Sequence, residues 1–180
     1  MPEAVLEGTQ INRSVVRLIK GDITDLEVDA FVFYAQPDLV LGSGFGGAIA
    51  MRGGASVQKE LDELGSVATG EAVVSGAGKM KAEHIIHAVG PRFQEEDIEP
   101  KLRTTMLSIL KCAEEKAVGT LAFPAMGSGY YGIPPALSAK VMVEVLKDHL
   151  QGDTSLTEVV ICVLDTPQYD SFEAALAALS

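Results

Sequence analysis

The sequence predicts an α/β fold, a three-layer α/β/α sandwich around a mostly parallel sheet of about six strands. Three observations lead there. Short apolar runs of strand length alternate along the chain with segments of helical periodicity, the order that gives a largely parallel sheet with helices on both faces. One run, Ala30-Phe31-Val32-Phe33-Tyr34, shows no polar alternation, as a strand covered on both faces requires. Finally, two glycine-rich stretches each fall between the end of a strand and the start of a helix.

Taken in order, Val15 to Ile19 reads as a strand, and Gly21-Asp22-Ile23-Thr24-Asp25 as the turn after it. The Ala30–Tyr34 run is the central strand. After the first glycine stretch, Ala48 to about Leu64 is helical in character and broken at Gly53-Gly54. Glu71 to Ser75 and His84 to Val89 are strands joined by a Gly/Lys turn. From about Pro100 to Ala117 the residues Leu102, Met106, Ile109, Leu110 and Ala113 recur at helical spacing, giving a helix with one buried face. Leu121-Ala122-Phe123 is the next strand, and the second glycine stretch follows it. Pro134-Pro135 opens a helix through Leu150, since a proline in the first turn withholds an N–H that would be unpaired anyway. Val159 to Leu164 is the last strand and Phe172 to Leu179 the last helix. No linker, repeat or low-complexity stretch divides the chain, so residues 1–180 are expected to form one domain, with about 1–13 as an N-terminal extension or edge strand.

The composition excludes several classes of function. No apolar run reaches the length of a membrane span, and Met-Pro-Glu-Ala at the N-terminus lacks a signal pattern, so a cytoplasmic protein without membrane partners is expected. A formal charge of −11 argues against extended nucleic acid, whose affinity rests on Lys and Arg neutralising phosphates. Cys112 and Cys162 sit in apolar segments without metal or redox spacing and read as small buried hydrophobes. His84 and His87 are three apart on a strand, point to opposite faces, and cannot share one metal; each reads as a core histidine. Neither a metal nor a cofactor is expected.

A small anionic ligand remains compatible with the acidic charge, and the glycine stretches point to one. They are Leu41-Gly42-Ser43-Gly44-Phe45-Gly46-Gly47-Ala48-Ile49 and Ala125-Met126-Gly127-Ser128-Gly129-Tyr130-Tyr131-Gly132-Ile133-Pro134. Glycine lets backbone approach a ligand closely, and a helix N-terminus offers unpaired N–H groups and a favourable dipole, so such loops suit phosphate. Two facing loops suit a diphosphate. Neither contains a carboxylate. Lys79 and Lys81 do not complete a Walker loop, because its first glycine would fall at Val73. Gly42-x-Gly44-x-x-Gly47 fits the dinucleotide fingerprint, but about seven residues separate it from the strand and the region 20 residues on is helical, against a nicotinamide oxidoreductase.

The order Gly21-Asp22-Ile23-Thr24, hydrophobic strand, glycine loop running into Gly47-Ala48-Ile49, Thr69-Gly70-Glu71-Ala72, Ile86-His87-Ala88-Val89-Gly90-Pro91, and Phe123-Pro124-Ala125-x-Gly127-Ser128-Gly129-x-Tyr131-Gly132-x-Pro134 resembles the macrodomain family. The resemblance spans about Arg17 to Leu179. It implies a module that binds ADP-ribose or a related nucleotide diphosphate. It assigns Asp22 to the adenine amino group with the Ile23 backbone beside it, and Gly42, Ser43, Gly44, Phe45, Gly46 and Gly47 to the diphosphate and distal ribose. Gly127, Ser128, Gly129, Tyr130, Tyr131 and Gly132 close the other side, with Tyr131 against the distal ribose.

Three departures bear on mechanism. Where many members of that family carry Asn-Ala-Ala-Asn, this chain has Phe33-Tyr34-Ala35-Gln36, leaving Gln36 to hydrogen-bond a ribose hydroxyl. The aspartate of the hydrolytic branch falls on Gly46, which has no side chain to position water. An aromatic that stacks on adenine is replaced by Leu164. Asp38, beside Pro37, is expected to face solvent. No catalytic residue is assigned. Binding is therefore expected over catalysis, with two alternatives: a hydrolase, O-acetyl-ADP-ribose deacetylase or ADP-ribose 1″-phosphate phosphatase of the macrodomain type, and an interaction scaffold with a degenerate pocket.

Overall fold

A computed structural model describes residues 8–179, in which the chain runs β1 (Thr9–Ile11), β2 (Ser14–Lys20), β3 (Ala30–Tyr34), α1 (Gly44–Gly53), α2 (Ala55–Leu64), β4 (Ala72–Gly76), β5 (His84–Ala88), α3 (Ile98–Glu115), β6 (Thr120–Phe123), α4 (Pro135–Leu150), β7 (Glu158–Val163) and α5 (Thr166–Ala177). The strands form one seven-stranded sheet in the order β1-β2-β7-β6-β3-β5-β4. β2, β7, β6, β3 and β5 are mutually parallel, and an antiparallel strand closes each edge. The edge strand expected within about 1–13 is β1; residues 1–7 of that segment lie outside the described residues.

Strand alternation sorts the core into two layers. On one face Ala30, Val32 and Tyr34 of β3 pack with Met106 and Ile109 of α3, Val141 and Met142 of α4 and Phe172 of α5. On the other, Phe31 and Phe33 pack with Ile49 of α1 and Val57 and Leu61 of α2. The result is the expected three-layer sandwich, with β3 buried on both faces because neither side of its sequence is polar. Phe31, Phe123 and Phe172 are fully buried, each contributing about 1.5–3 kcal/mol. The fold is held by these layers, not by the loops at the sheet edge.

The break between α1 and α2 falls at Gly54, whose φ of 89° only glycine adopts without strain. Expectation and structure differ at the last helix, which starts at Thr166 and not at Phe172. Its cap is the reason: the Asp165 carboxylate accepts the Gln168 N–H at 2.9 Å, and Pro167 occupies the first turn. Cys162 is buried as expected, while Cys112 is only half-buried. No described helix is long and apolar enough to cross a membrane, and the described residues hold no cluster of three or more metal-ligating side chains.

Candidate functional site

Because the five central strands are parallel, the loops after β2, β7, β6, β3 and β5 all emerge on one edge of the sheet, where open α/β sheets bind ligands. The two glycine loops follow β3 and β6, which are neighbours. Topology therefore sets them side by side.

The first loop is anchored from beneath. Leu39 and Leu41 are buried, and Gln58 of α2 accepts the Leu41 N–H at 3.0 Å and donates to the Leu39 carbonyl at 3.2 Å. Gly42 and Gly44 have φ of 68° and 61°. α1 begins at Gly44 with no side-chain hydrogen bond from Ser43, so the first N–H groups of the helix, which have no intrahelical partner, lack a side-chain cap. The Gln36 amide nitrogen lies 3.8 Å from where a Gly42 β-carbon would be, placing it against the loop. Phe45 packs its ring 4.9 Å from that of Phe33 and 6.3 Å from that of Phe31 and is partly buried. Gly47 is tightly placed over the Gly42 carbonyl.

The second loop is held by buried Met126 and Ile133, with the Ile133 N–H bonded to the Gly127 carbonyl and the Gly132 N–H to the Gly129 carbonyl, each at 3.0 Å. Gly129 to Tyr131 form a 3-10 turn that Ser128 does not cap with its side chain; the Ser128 hydroxyl donates to the Ile133 carbonyl instead. A β-carbon on Gly129 would meet nothing within 4 Å, so this residue borders open space. Tyr131 is half-buried against Tyr34 at 4.8 Å, while Tyr130 is 85% exposed. Burial raises the Tyr34 phenol well above its ordinary range, so it stays protonated and donates to the Pro91 carbonyl, tying β3 to the loop after β5.

Asp22 and Leu164 lie at the other end of the edge, after the adjacent strands β2 and β7, where the Gly21 N–H bonds the Val163 carbonyl at 2.9 Å. Asp22 caps a 3-10 turn: Oδ1 accepts the Thr24 hydroxyl at 2.6 Å and N–H at 2.9 Å, and Oδ2 lies 3.2 Å from Arg52 of α1. The Thr24 hydroxyl, then its N–H and Arg52, outweigh the effect of burial and lower the Asp22 carboxyl below its usual range. It is an ionised acceptor whose side chain is about half exposed. Ile23 is buried beside it, and Leu164 is 76% exposed.

Sequence reasoning missed Arg52, which reaches Asp22 from a helix 30 residues on, and the loop after β5, which brings Arg92 and Phe93 to the same edge. The rule that carboxyl-edge loops bind ligands applies to that loop too and is the signal that could have found it. Two surface depressions, of about 390 Å³ beside Thr69 and Thr104 and about 490 Å³ between α4 and α5, are lined by neither glycine loop. The glycine-lined edge is nevertheless the stronger candidate, because it gathers two glycine loops on neighbouring strands and the Asp22 carboxylate.

The macro domain family profile matches residues 34–142, which run from the end of β3 into α4 and include both glycine loops. The chain belongs to the macrodomain family. A macro domain-containing protein of Caldanaerobacter subterraneus is 37% identical over 170 residues, covering 91% of this chain and 97% of that one. The O-acetyl-ADP-ribose deacetylase 2 of Pantoea vagans is 30% identical over 163 residues, covering 87% and 95%. Among solved structures, an Oceanobacillus iheyensis macrodomain variant with ADPR superposes with a TM-score of 0.91 over 96% of this chain and 97% of that one, at 24% identity. Trypanosoma brucei macrodomain in complex with ADP-ribose gives 0.84 over 89% and 68%, also at 24%.

In this macrodomain Gly46 is not simply a lost acid. A β-carbon there would fall 1.7 Å from the Leu41 carbonyl oxygen and 2.6 Å from its carbon. Backbone occupies the space any side chain would need.

Proposed function

We propose that this macrodomain binds ADP-ribose or a closely related nucleotide diphosphate as a binding module. The observation that carries the reading is the placement of two uncapped glycine loops on neighbouring parallel strands, with an ionised acceptor at one end of the same edge. The diphosphate lies between Gly42–Gly47 and Gly127–Gly132, the base lies at Asp22 and Leu164, and Gln36 and Tyr131 meet the distal ribose. Asp22 Oδ2 accepts from the base amine, with the carboxylate kept ionised by the Thr24 hydroxyl first, then the Thr24 N–H and Arg52. The names of the relatives support the nucleotide class, and the acidic chain fits a small ligand acting in the cytoplasm. A thermal-shift screen tests the reading: at 100 times its dissociation constant ADP-ribose stabilises by about 2.7 kcal/mol, roughly 5–10 °C in Tm for a chain this size. No shift with any adenine or other nucleotide would overturn it.

Leu164 gives the base an apolar cover without a ring. Leu164→Phe is expected to tighten ADP-ribose binding by about 0.5–1.5 kcal/mol, roughly two- to tenfold in Kd, by calorimetry. An unchanged Kd would remove the stacking argument.

Hydrolysis is not expected. Removal of ADP-ribose from modified acidic side chains should be negligible in a mass-spectrometric assay, and Gly46→Asp should not install it, because the new side chain collides with the Leu41 carbonyl and costs about 1–3 kcal/mol of stability. The Pantoea vagans relative's name favours deacetylation of O-acetyl-ADP-ribose as the second reading. Multiple turnover of that ester by the parent protein would establish it and displace the binding-only view.

A further inference from the structure

The loop after β5 reaches the carboxyl edge one strand beyond β3 and carries a cation that the glycine loops do not use. The Arg92 guanidinium stands 5.8 Å from the centroid of the Tyr131 ring. Among the described residues it has no ion-pair or hydrogen-bond partner for its side chain. Of the nearby carboxylates, Glu95 attracts this guanidinium at longer range, and both Glu95 and Asp38 hold hydrogen-bond partners of their own. Glu95 accepts the Arg92 backbone N–H at 3.0 Å and Lys101 Nζ at 3.1 Å, and Asp38, the acid felt by Tyr131, accepts the Val40 N–H at 3.0 Å. An arginine over an aromatic face is held in place while its planar fork of five donors stays available. Phe93, whose N–H bonds the Tyr131 carbonyl at 3.1 Å, and Tyr130 expose their rings on the same loops, offering apolar surface that lowers the local dielectric.

Position along the edge says what this arginine faces. The strand order β2-β7-β6-β3-β5 puts four strand steps, about 19 Å, between the strand that leads to Asp22 and the strand that leads to Arg92. A ligand with its base at Asp22 and its diphosphate between the β6 and β3 loops runs toward β5 and ends at Tyr131. We infer that Arg92, seated on Tyr131, is a subsite for an anionic group, phosphate or carboxylate, attached to the distal ribose, and that it selects ligands so substituted. This rests on the binding mode proposed above and extends it to what lies past the ribose.

Calorimetry with parent, Arg92→Gln and Arg92→Lys proteins tests it in two arms. The first compares ADP-ribose with its 1″-phosphate. The second compares ADP-ribosylated peptides carrying glutamate or glutamine beside the modified residue. In at least one arm the parent should favour the anionic member at least tenfold, the preference should shrink as salt rises, and Arg92→Gln should bring it below twofold, with Arg92→Lys between. The arm that responds identifies phosphate or carboxylate as the source. A parent that binds ADP-ribose yet shows no Arg92-dependent preference in either arm overturns this inference and leaves the proposed function standing. Failure of ADP-ribose itself to bind overturns both.

Discussion

Lowering the pH from 6.5 to about 4 is expected to remove about 3 kcal/mol of folding stability through one side chain, His87. It is wholly buried on β5, with its ring edge-on to Phe33 at 5.9 Å and Nε2 2.8 Å from the buried Ser75 hydroxyl, while Nδ1 has no hydrogen-bond partner. Burial pushes its pKa down from 6.5 to about 4. The unfolded chain takes up the proton near 6.5 and the folded one near 4, so the unfolded state binds more protons between those values. Stability is complete above pH 6.5, falls through the window at about 1.4 kcal/mol per unit, and levels off below it. The depressed carboxylates Asp22, Asp29, Glu95 and Glu114 lose their contribution between their ordinary values, 3.8 for Asp and 4.5 for Glu, and their lowered ones. The interval from 6.5 to 5 thus isolates the histidine. Urea unfolding at those two values should differ by about 2 kcal/mol in the parent and by much less in His87→Gln. Equal slopes would contradict the account.

Gly129→Glu is expected to weaken ADP-ribose binding at least tenfold, about 1.4 kcal/mol, while leaving the fold intact. The residue has φ of 78° and borders open space, so a glutamate there extends into the region assigned to the diphosphate. Two unit charges 4 Å apart at an effective dielectric of 20 repel by about 4 kcal/mol, which makes tenfold a lower bound. Gly129→Ala carries the backbone strain without the charge and should bind far better than the glutamate variant. Gly152→Glu, after α4 at the opposite edge, is the charge control. Gly119 would serve poorly, because its N–H donates to Asp29 at 2.8 Å and a side chain would crowd that carboxylate. Circular dichroism confirms folding of each variant, and a folded Gly129→Glu protein that binds as well as the parent would move the diphosphate out of these loops.

Much of this was legible because it follows from local chemistry. An unpolar pentapeptide fits a strand covered twice, and parallel strands alternating with helices place their following loops on one edge, which is why β3, the sandwich and the shared edge of the glycine loops could be read from sequence. Long-range partners could not. Asp22 reads as an adenine acid or a turn cap; the fold makes it a cap whose second oxygen faces Arg52, a contact set by where α1 returns. Gly46 reads as a missing catalytic acid, whereas the way Leu41 folds under α1 makes glycine a packing requirement. The start of α5 was signalled by Asp165 and Pro167, but the apolar pattern that begins at Phe172 masked it. His87 is in the core as expected, though bonded through only one nitrogen, and His84 is only half-buried at the start of β5, not a core residue.

The central claim, a nucleotide diphosphate held between the β3 and β6 loops, is tested most directly by titrating the parent protein with ADP-ribose in a calorimeter. The account predicts saturable binding of one ligand per chain with a Kd below about 1 mM, equivalent to more than about 4 kcal/mol. A folded protein that gives no heat, and no competition against any nucleotide, at millimolar ADP-ribose would contradict it.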